Sequence, residues 1–358
     1  QFFVAIILFM RSNFAGLHHF KLDAVFSVLD RTLLIVICSY LLWFRSSDQP
    51  FQIQWFVWAQ SAAYGISALA ALLVARKTIG RTKLKIKKLF SIVILRQSFP
   101  YALLILLMMI YNRMDSVMLE RIHPNGPHEA GVYAQGFRIL DAVNMFAMLF
   151  AGLLLPMFAR MLAQKEAIQD LVKHAGSLLL TASSVFAVGS FYYAEELMNF
   201  RYHEHIEEAA KTFQLLILSF VPISLTYIFG TLLTANGSLK YLNIMAIFGL
   251  ILNFSLNFWL IPKHGAQGAA IATLATQWFT AAAQILIAVK IMSFGFEKSF
   301  VLRLVSFIIF LILSGYWVHS FVPSLFAWFM FLPLALLMAA FFHVFPLKKS
   351  LDLFRLKE

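Results

Sequence analysis

Runs of about twenty apolar residues, repeated along nearly the whole chain, are the feature that most limits what this sequence can become. A helix needs about that length to cross a ~30 Å hydrocarbon core, and lipid admits such a run only as a helix, because each backbone N–H and C=O must be satisfied within the segment. Composition agrees. Of 358 residues, 61% are hydrophobic and 13% are charged, against roughly 45–50% apolar and about 25% charged in soluble domains. The chain reads as an all-α polytopic membrane protein.

Ten full spans are expected: Leu22–Phe44, Ile53–Ala75, Phe90–Met118, Gly131–Phe158, Ala175–Tyr193, Phe213–Ala235, Tyr241–Ile261, Gln267–Val289, Val301–Ser320 and Leu325–Phe345. Pro100, Pro222 and Pro333 fall inside spans and predict kinks. Ahead of them, Phe2–Met10 is apolar but only half a crossing long. It reads as the tail of a helix whose beginning is missing, in a chain truncated at its N-terminus. With that half-span the expectation is eleven segments.

Loop charge gives an orientation. Taking alternate loops, one side carries nineteen Lys and Arg residues, seven of them in Arg76–Lys88, and the other carries five, Arg45, Arg121, Arg201, Lys211 and Lys263. By the positive-inside rule the basic side is cytoplasmic and so is the C-terminus. The net charge of +12 is therefore topological, and nucleic-acid binding is a poor reading of it. Trp43, Trp55, Trp58, Trp259, Trp317 and Trp328 fall near the outer ends of spans, like an aromatic belt, with Trp278 mid-span. The basic stretch 76–89 reads as a cytoplasmic linker between two bundles. The segments Asn13–Phe20 and Thr234–Tyr241 share a spacing, with Gly three residues after a polar residue and an aromatic four residues later. That echo favours a parallel internal repeat, as many transporters have.

Nothing in the sequence spells catalysis. There is no nucleophile elbow, no phosphate-cradling Gly loop and no His/Cys metal spacing. His203 and His205 flank Glu204 in an external loop, which reads as a solvated face, and no metal or cofactor is expected. Cys38 is the one cysteine and reads as a core residue. The informative residues are charges inside spans, where they are costly and by default mark a pathway or a buried pair. They are Asp30 with Arg31, Arg113 with Asp115, and Arg138 with Asp141, the last pair one helical turn apart on one face. Arg96 and Arg303, near span ends, read as snorkelling. Asn253 and Asn257 form an amide stripe, a pattern that more often joins helices; Gly268, Ala272 and Thr276 read as a packing face.

Tyr111-Asn-Arg-Met-Asp115 and Gly131-Val-Tyr-Ala-Gln-Gly-Phe-Arg-Ile-Leu-Asp141 resemble the seventh and eighth helices of the polysaccharide-transporter branch of the MATE/MOP superfamily, the Wzx-like flippases for lipid-linked oligosaccharides. Thr231–Gly237, Leu252–Pro262 and Gly265–Thr273 resemble that family's tenth to twelfth helices, and Arg11–Gly16 with Asp30-Arg31 resembles it too. The resemblance implies a MATE/MOP-like two-lobe helical bundle of fourteen helices, of which the present spans would be the fourth to fourteenth. It divides the chain into 1–75, the rest of an N-terminal lobe; the linker 76–89; a C-terminal lobe, 90–290; two additional helices, 300–346; and a cytoplasmic tail, 347–358.

The implied function is to flip a polyprenyl-diphosphate-linked oligosaccharide from the cytoplasmic to the periplasmic leaflet of a bacterial inner membrane, for surface polysaccharide biosynthesis, by alternating access. Arg31, Arg113 and Arg138 would face the anionic headgroup in one cleft between the bundle before Lys88 and the bundle after it, with Asp30, Asp115 and Asp141 behind them and Asn253 and Asn257 nearby. The implied partners are the lipid-linked substrate, membrane lipid, H+ or Na+ as coupling ion, and polysaccharide assembly proteins. Rival readings are a lipid II or multidrug exporter of the same superfamily and, in another class, a membrane glycosyltransferase or polymerase.

Overall fold

The computed structural model describes residues 2–17, 19–43, 52–79, 88–293, 295, 297–342 and 344. All regular structure among them is helical: α1 (Phe2–Gly16), α2 (Phe20–Trp43), α3 (Ile53–Ile79), α4 (Lys88–Ile122), α5 (Gly126–Ala163), α6 (Gln169–Tyr192), α7 (Ala194–Arg201), α8 (Ile206–Leu218), α9 (Phe220–Ala235), α10 (Leu239–Met292), α11 (Lys298–Phe321) and α12 (Leu325–Phe341). Most of the stretch expected as a linker, at 80–87, and the whole tail lie outside the described residues.

The expected spans map onto these helices with one local difference. The run Phe213–Ala235 is divided at Ser219, which separates α8 from α9. Pro222 sits in the first turn of α9, where its missing N–H removes no helical bond. The spans Tyr241–Ile261 and Gln267–Val289 are two helices that meet at a kink within Leu239–Met292, where Gly265 has the non-helical backbone φ 51°, ψ −130°. Its left-handed backbone suits glycine. A Cβ there would also lie 2.2 Å from Glu129 Oε2. The same carboxylate accepts a 2.7 Å hydrogen bond from the N–H of Ala266, one of the donors left unpaired where a helix restarts.

The chain forms two compact units, Gln1–Ser91 and Ile92–Glu358. In the first, α1 to α3 pack around Phe14, Phe26, Ala71 and Ala75; Phe14 and Phe26 stack at 5.6 Å, and Arg11 Nε pairs with Asp23 Oδ1 at 2.7 Å. In the second, α5, α8, α9 and α10 share one large core that includes Tyr133, Phe213, Leu216, Ile228 and Ala269. Gly136 lets α5 approach the backbone of Phe213, whose Cα would sit 3.1 Å from an added Cβ. A smaller cluster joins α6 to α11 and α12 through Val185, Phe307, Leu311 and Phe331.

Outward faces are apolar: Phe146, Leu149, Leu153, Phe258, Leu302 and Leu313 are all exposed. A contiguous apolar exterior of this kind is a surface for lipid. Among the described residues, eight helices are long and apolar enough to cross a membrane, with shorter apolar helices at Phe2–Phe14 and Leu325–Phe341. This is a multi-pass membrane protein. Trp43, Trp58, Trp259 and Trp317 are exposed, whereas Trp328 is not. That ring is buried against Phe186 and Tyr193, where α12 meets α6, so it is a packing residue.

The corners after α1 and after α9 close alike, with an N–H bonded to a carbonyl five residues back: His19 to Phe14 and Ser238 to Leu233. Relative to the sequence echo, the two bonds are displaced by two residues.

Candidate functional site

The second unit contains a cavity of about 960 Å³ between α4, α5, α9 and α10. Its apolar wall includes Met108, Met109, Phe137, Met148 and Ile223. Its polar wall includes Asn112, Arg113, Asp141, Asn144, Thr226, Tyr227, Thr231, Gln277 and Gln284. On α5 the lining positions 137, 141, 144 and 148 follow helical spacing, so one stripe of that helix faces the cavity.

Arg113 enters from α4. Its Nη2 lies 3.3 Å from Asp141 Oδ2, and its guanidinium lies 5.6 Å from the centre of the Phe137 ring. The side chain of Arg113 remains 70% exposed and that of Asp141 49%, so the pair is a polar rim open to a ligand rather than a sealed bridge. Asn144, Thr226 and Gln284 each present a buried side-chain oxygen with no hydrogen-bond partner. Such atoms are costly unless something polar reaches them.

Deeper in the same wall is Asp115, 2% exposed. It is held entirely by neutral groups. Asn253 Nδ2 (3.1 Å) and Asn257 Nδ2 (2.5 Å) donate to Oδ1; Tyr133 OH (2.9 Å) and Thr273 Oγ1 (2.6 Å) donate to Oδ2. Asn257 also donates to Asn253 Oδ1 at 3.0 Å, and its own Oδ1 is buried without a partner. Each carboxylate oxygen thus has two donors and no cation beside it. A proton or a small hard cation on Asp115 would displace donors that now point at it, and the hydroxyl and amide oxygens could turn inward to serve such a cation.

Two family models match the chain: the model described as Polysaccharide biosynthesis protein over residues 2–162, and MatE over residues 100–259. The fold is similar to that of the lipid II flippase MurJ in an inward closed conformation. The TM-score is 0.73 at 13% identity, over 98% of this chain and 72% of that one. The chain is thus similar to proteins of the MATE/MOP superfamily in both sequence and fold. Among curated relatives, an uncharacterized membrane protein of Methanocaldococcus jannaschii is 26% identical over 52% of this chain and 43% of its own length. A probable multidrug resistance protein NorM of Bacillus cereus is 29% identical over 32% of this chain and 27% of its own length. The chain therefore spans less than half the length of the curated relatives it matches.

Within this MATE/MOP fold, the sequence-derived candidates separate. Arg113, Asp115, Asp141 and Asn253 all line the cavity, and Asn257 sits directly behind it on Asp115. Arg138 does not join them. It is exposed on α5, beside the lining stripe. Asp141 pairs with Arg113 of α4 instead of Arg138, since the face that carries Phe137 and Asp141 turns toward α4. Asp30 and Arg31 lie on α2 of the first unit and face each other at 3.8 Å, with Asp30 largely covered and Arg31 exposed. The expected arrangement of Asp residues behind Arg residues holds for Asp115 by depth but not for Asp141, which stands on the rim with Arg113.

Sequence reasoning missed Tyr133 and Thr273 as partners of Asp115, although both lie within the segments that carried the family resemblance. It also missed Tyr227, Gln277 and Gln284, which are single polar residues inside apolar runs. Thr276, read as packing, donates to Ala272 O at 2.8 Å and also lines the cavity.

Proposed function

We propose that this chain belongs to a flippase that carries a polyprenyl-diphosphate-linked oligosaccharide from the cytoplasmic to the periplasmic leaflet of a bacterial inner membrane, acting as a transporter and not as an enzyme. The observation that carries this reading is Arg113, held at the rim of a roomy cavity by Phe137 and Asp141 and surrounded by amides and hydroxyls. A guanidinium binds phosphate oxygens in pairs, while hydroxyl- and amide-rich walls suit sugar hydroxyls. The match to the Polysaccharide biosynthesis protein model supports the same substrate class.

Coupling falls to Asp115, which would exchange H+ or Na+ as the cavity alternates its opening. Arg138 and the Asp30–Arg31 pair belong to the substrate path by family resemblance alone. Loop charge supports a cytoplasmic C-terminus, and polysaccharide assembly proteins are the expected partners.

The test is transport of a polyprenyl-diphosphate oligosaccharide by the full-length protein in proteoliposomes. Arg113→Ala should slow it at least about tenfold, in keeping with the ~4 kcal/mol available to two charges 4 Å apart at an effective dielectric of about 20. Arg113→Lys should keep part of the rate. Unimpaired transport by Arg113→Ala would remove the anionic-headgroup reading.

A second reading has its own support. The charged lining of this cavity is one Arg against two Asp residues, a balance that suits a cationic cargo, and NorM of Bacillus cereus is named as a probable multidrug resistance protein. Under that reading organic cations are carried, and Asp141→Asn abolishes their export.

A further inference from the structure

The end of the second unit that carries Arg121 and Arg201 gathers three side chains that no sequence motif connects. His128 stands in the first turn of α5, His205 precedes α8, and Glu208 lies one turn into α8. His128 Nε2 is 3.1 Å from His205 Nδ1 and 3.4 Å from Glu208 Oε2; His205 Nδ1 is 3.9 Å from the same Glu208 oxygen. Ligands about 2.0–2.1 Å from a tetrahedral ion stand roughly 3.3 Å from one another. The three separations lie close to the edges of that tetrahedron.

Orientation agrees with distance. The two imidazoles meet edge to face, 4.3 Å between centres and 89° between planes, so their nitrogens converge without stacking. His205 holds φ 55°, a left-handed conformation that costs a residue with a β-carbon energy and is commonly retained where function needs it. Behind the cluster, His128 Nδ1 is buried without a hydrogen-bond partner and lies 3.8 Å from Glu129 Oε1. The other oxygen of Glu129 is fixed by Ala266 N. A metal-bound imidazole usually directs its second N–H at such a carboxylate, and a small turn of the ring would complete that contact.

We infer that His128, His205 and Glu208 form a binding site for one divalent transition ion of the Zn2+ type, with a fourth position open to water or another ligand. Two imidazoles and a carboxylate are a ligand set for such an ion, whereas Mg2+ and Ca2+ prefer oxygen alone. The ion would tie the corner between α4 and α5 to the start of α8.

The experiment uses the purified chain in detergent, stripped of metal and titrated with Zn2+ against a chromophoric chelator, with Co2+ as a spectroscopic probe. One Zn2+ per chain should bind, the Co2+ complex should show the strong visible bands of a four-coordinate ion, and Zn2+ should raise the melting temperature. His205→Asn should weaken binding by about a hundredfold and abolish the rise in melting temperature. Asparagine tolerates the left-handed backbone, so the variant tests the ligand and not the fold. His203→Asn, one turn of loop away, should bind as the parent does. The inference is overturned if the parent takes up no Zn2+ at micromolar concentration, if His205→Asn binds as the parent does, or if His203→Asn loses binding equally. In those cases the two rings are simply hydrogen-bonded to each other.

Discussion

At the scale of single residues, a charge inside a membrane span announces itself because the solvent makes it expensive. That is why Arg113, Asp115 and Asp141 could be singled out among so many apolar neighbours. Their partners could not be. Asp115 is bonded to residues 18, 138, 142 and 158 positions away, and no helical periodicity links separate helices. The Arg138–Asp141 pairing, plausible from spacing alone, yields to Arg113 because the two-residue question of which face a helix turns inward is answered by its neighbours. Two predictions follow from this contrast. Arg113→Ala should impair transport by the full-length protein far more than Arg138→Ala; equal losses would show that Arg138 shares the headgroup contact. Asp115→Asn should cost about 1–3 kcal/mol, because at least one of four donors then faces an amide N–H. The variant should still insert and fold, yet its transport should no longer respond to a proton or sodium gradient. A gradient response equal to the parent's would take Asp115 out of coupling.

At the scale of elements, hydropathy reaches far because each span must satisfy its own backbone, so its length is set by the membrane and not by distant contacts. The expected kink at Pro222 coincides with a division into two helices. The break at Gly265 falls in the gap expected between Tyr241–Ile261 and Gln267–Val289, although hydropathy does not pick out the residue that makes it. What marks it is tertiary: Glu129 from α5 occupies the space where a side chain would be and caps the restarted helix. Gly265→Ala combines an unfavourable φ with a collision, and should lower stability by about 2–4 kcal/mol, read as a fall in melting temperature in detergent. Adding Glu129→Ala should recover only part of it, because the backbone strain stays and the Ala266 N–H loses its acceptor. If Gly265→Ala melts with the parent, the positive φ is not a feature of the folded protein.

At the scale of the whole molecule, charge and hydropathy together determine more than contacts do. Apolar runs settled that the chain is a multi-pass helical membrane protein, and the asymmetry of Lys and Arg between alternate loops gives an orientation. A reporter that is active only in the periplasm, fused after Glu358 of the full-length protein, is expected to stay dark; a bright signal would reverse the topology and with it the direction of flipping. Motif resemblance reached the superfamily, because its helices carry polar residues at positions that an apolar solvent would otherwise exclude. Only the tertiary structure decided which polar residues meet: Asp115 with two amides and two hydroxyls, Arg113 with Asp141, and His205 with His128. The reason is physical. Crossing a bilayer is a property of one segment and can be read locally. A binding site is made where several segments present their inner faces together, and those faces are chosen by packing across the bundle.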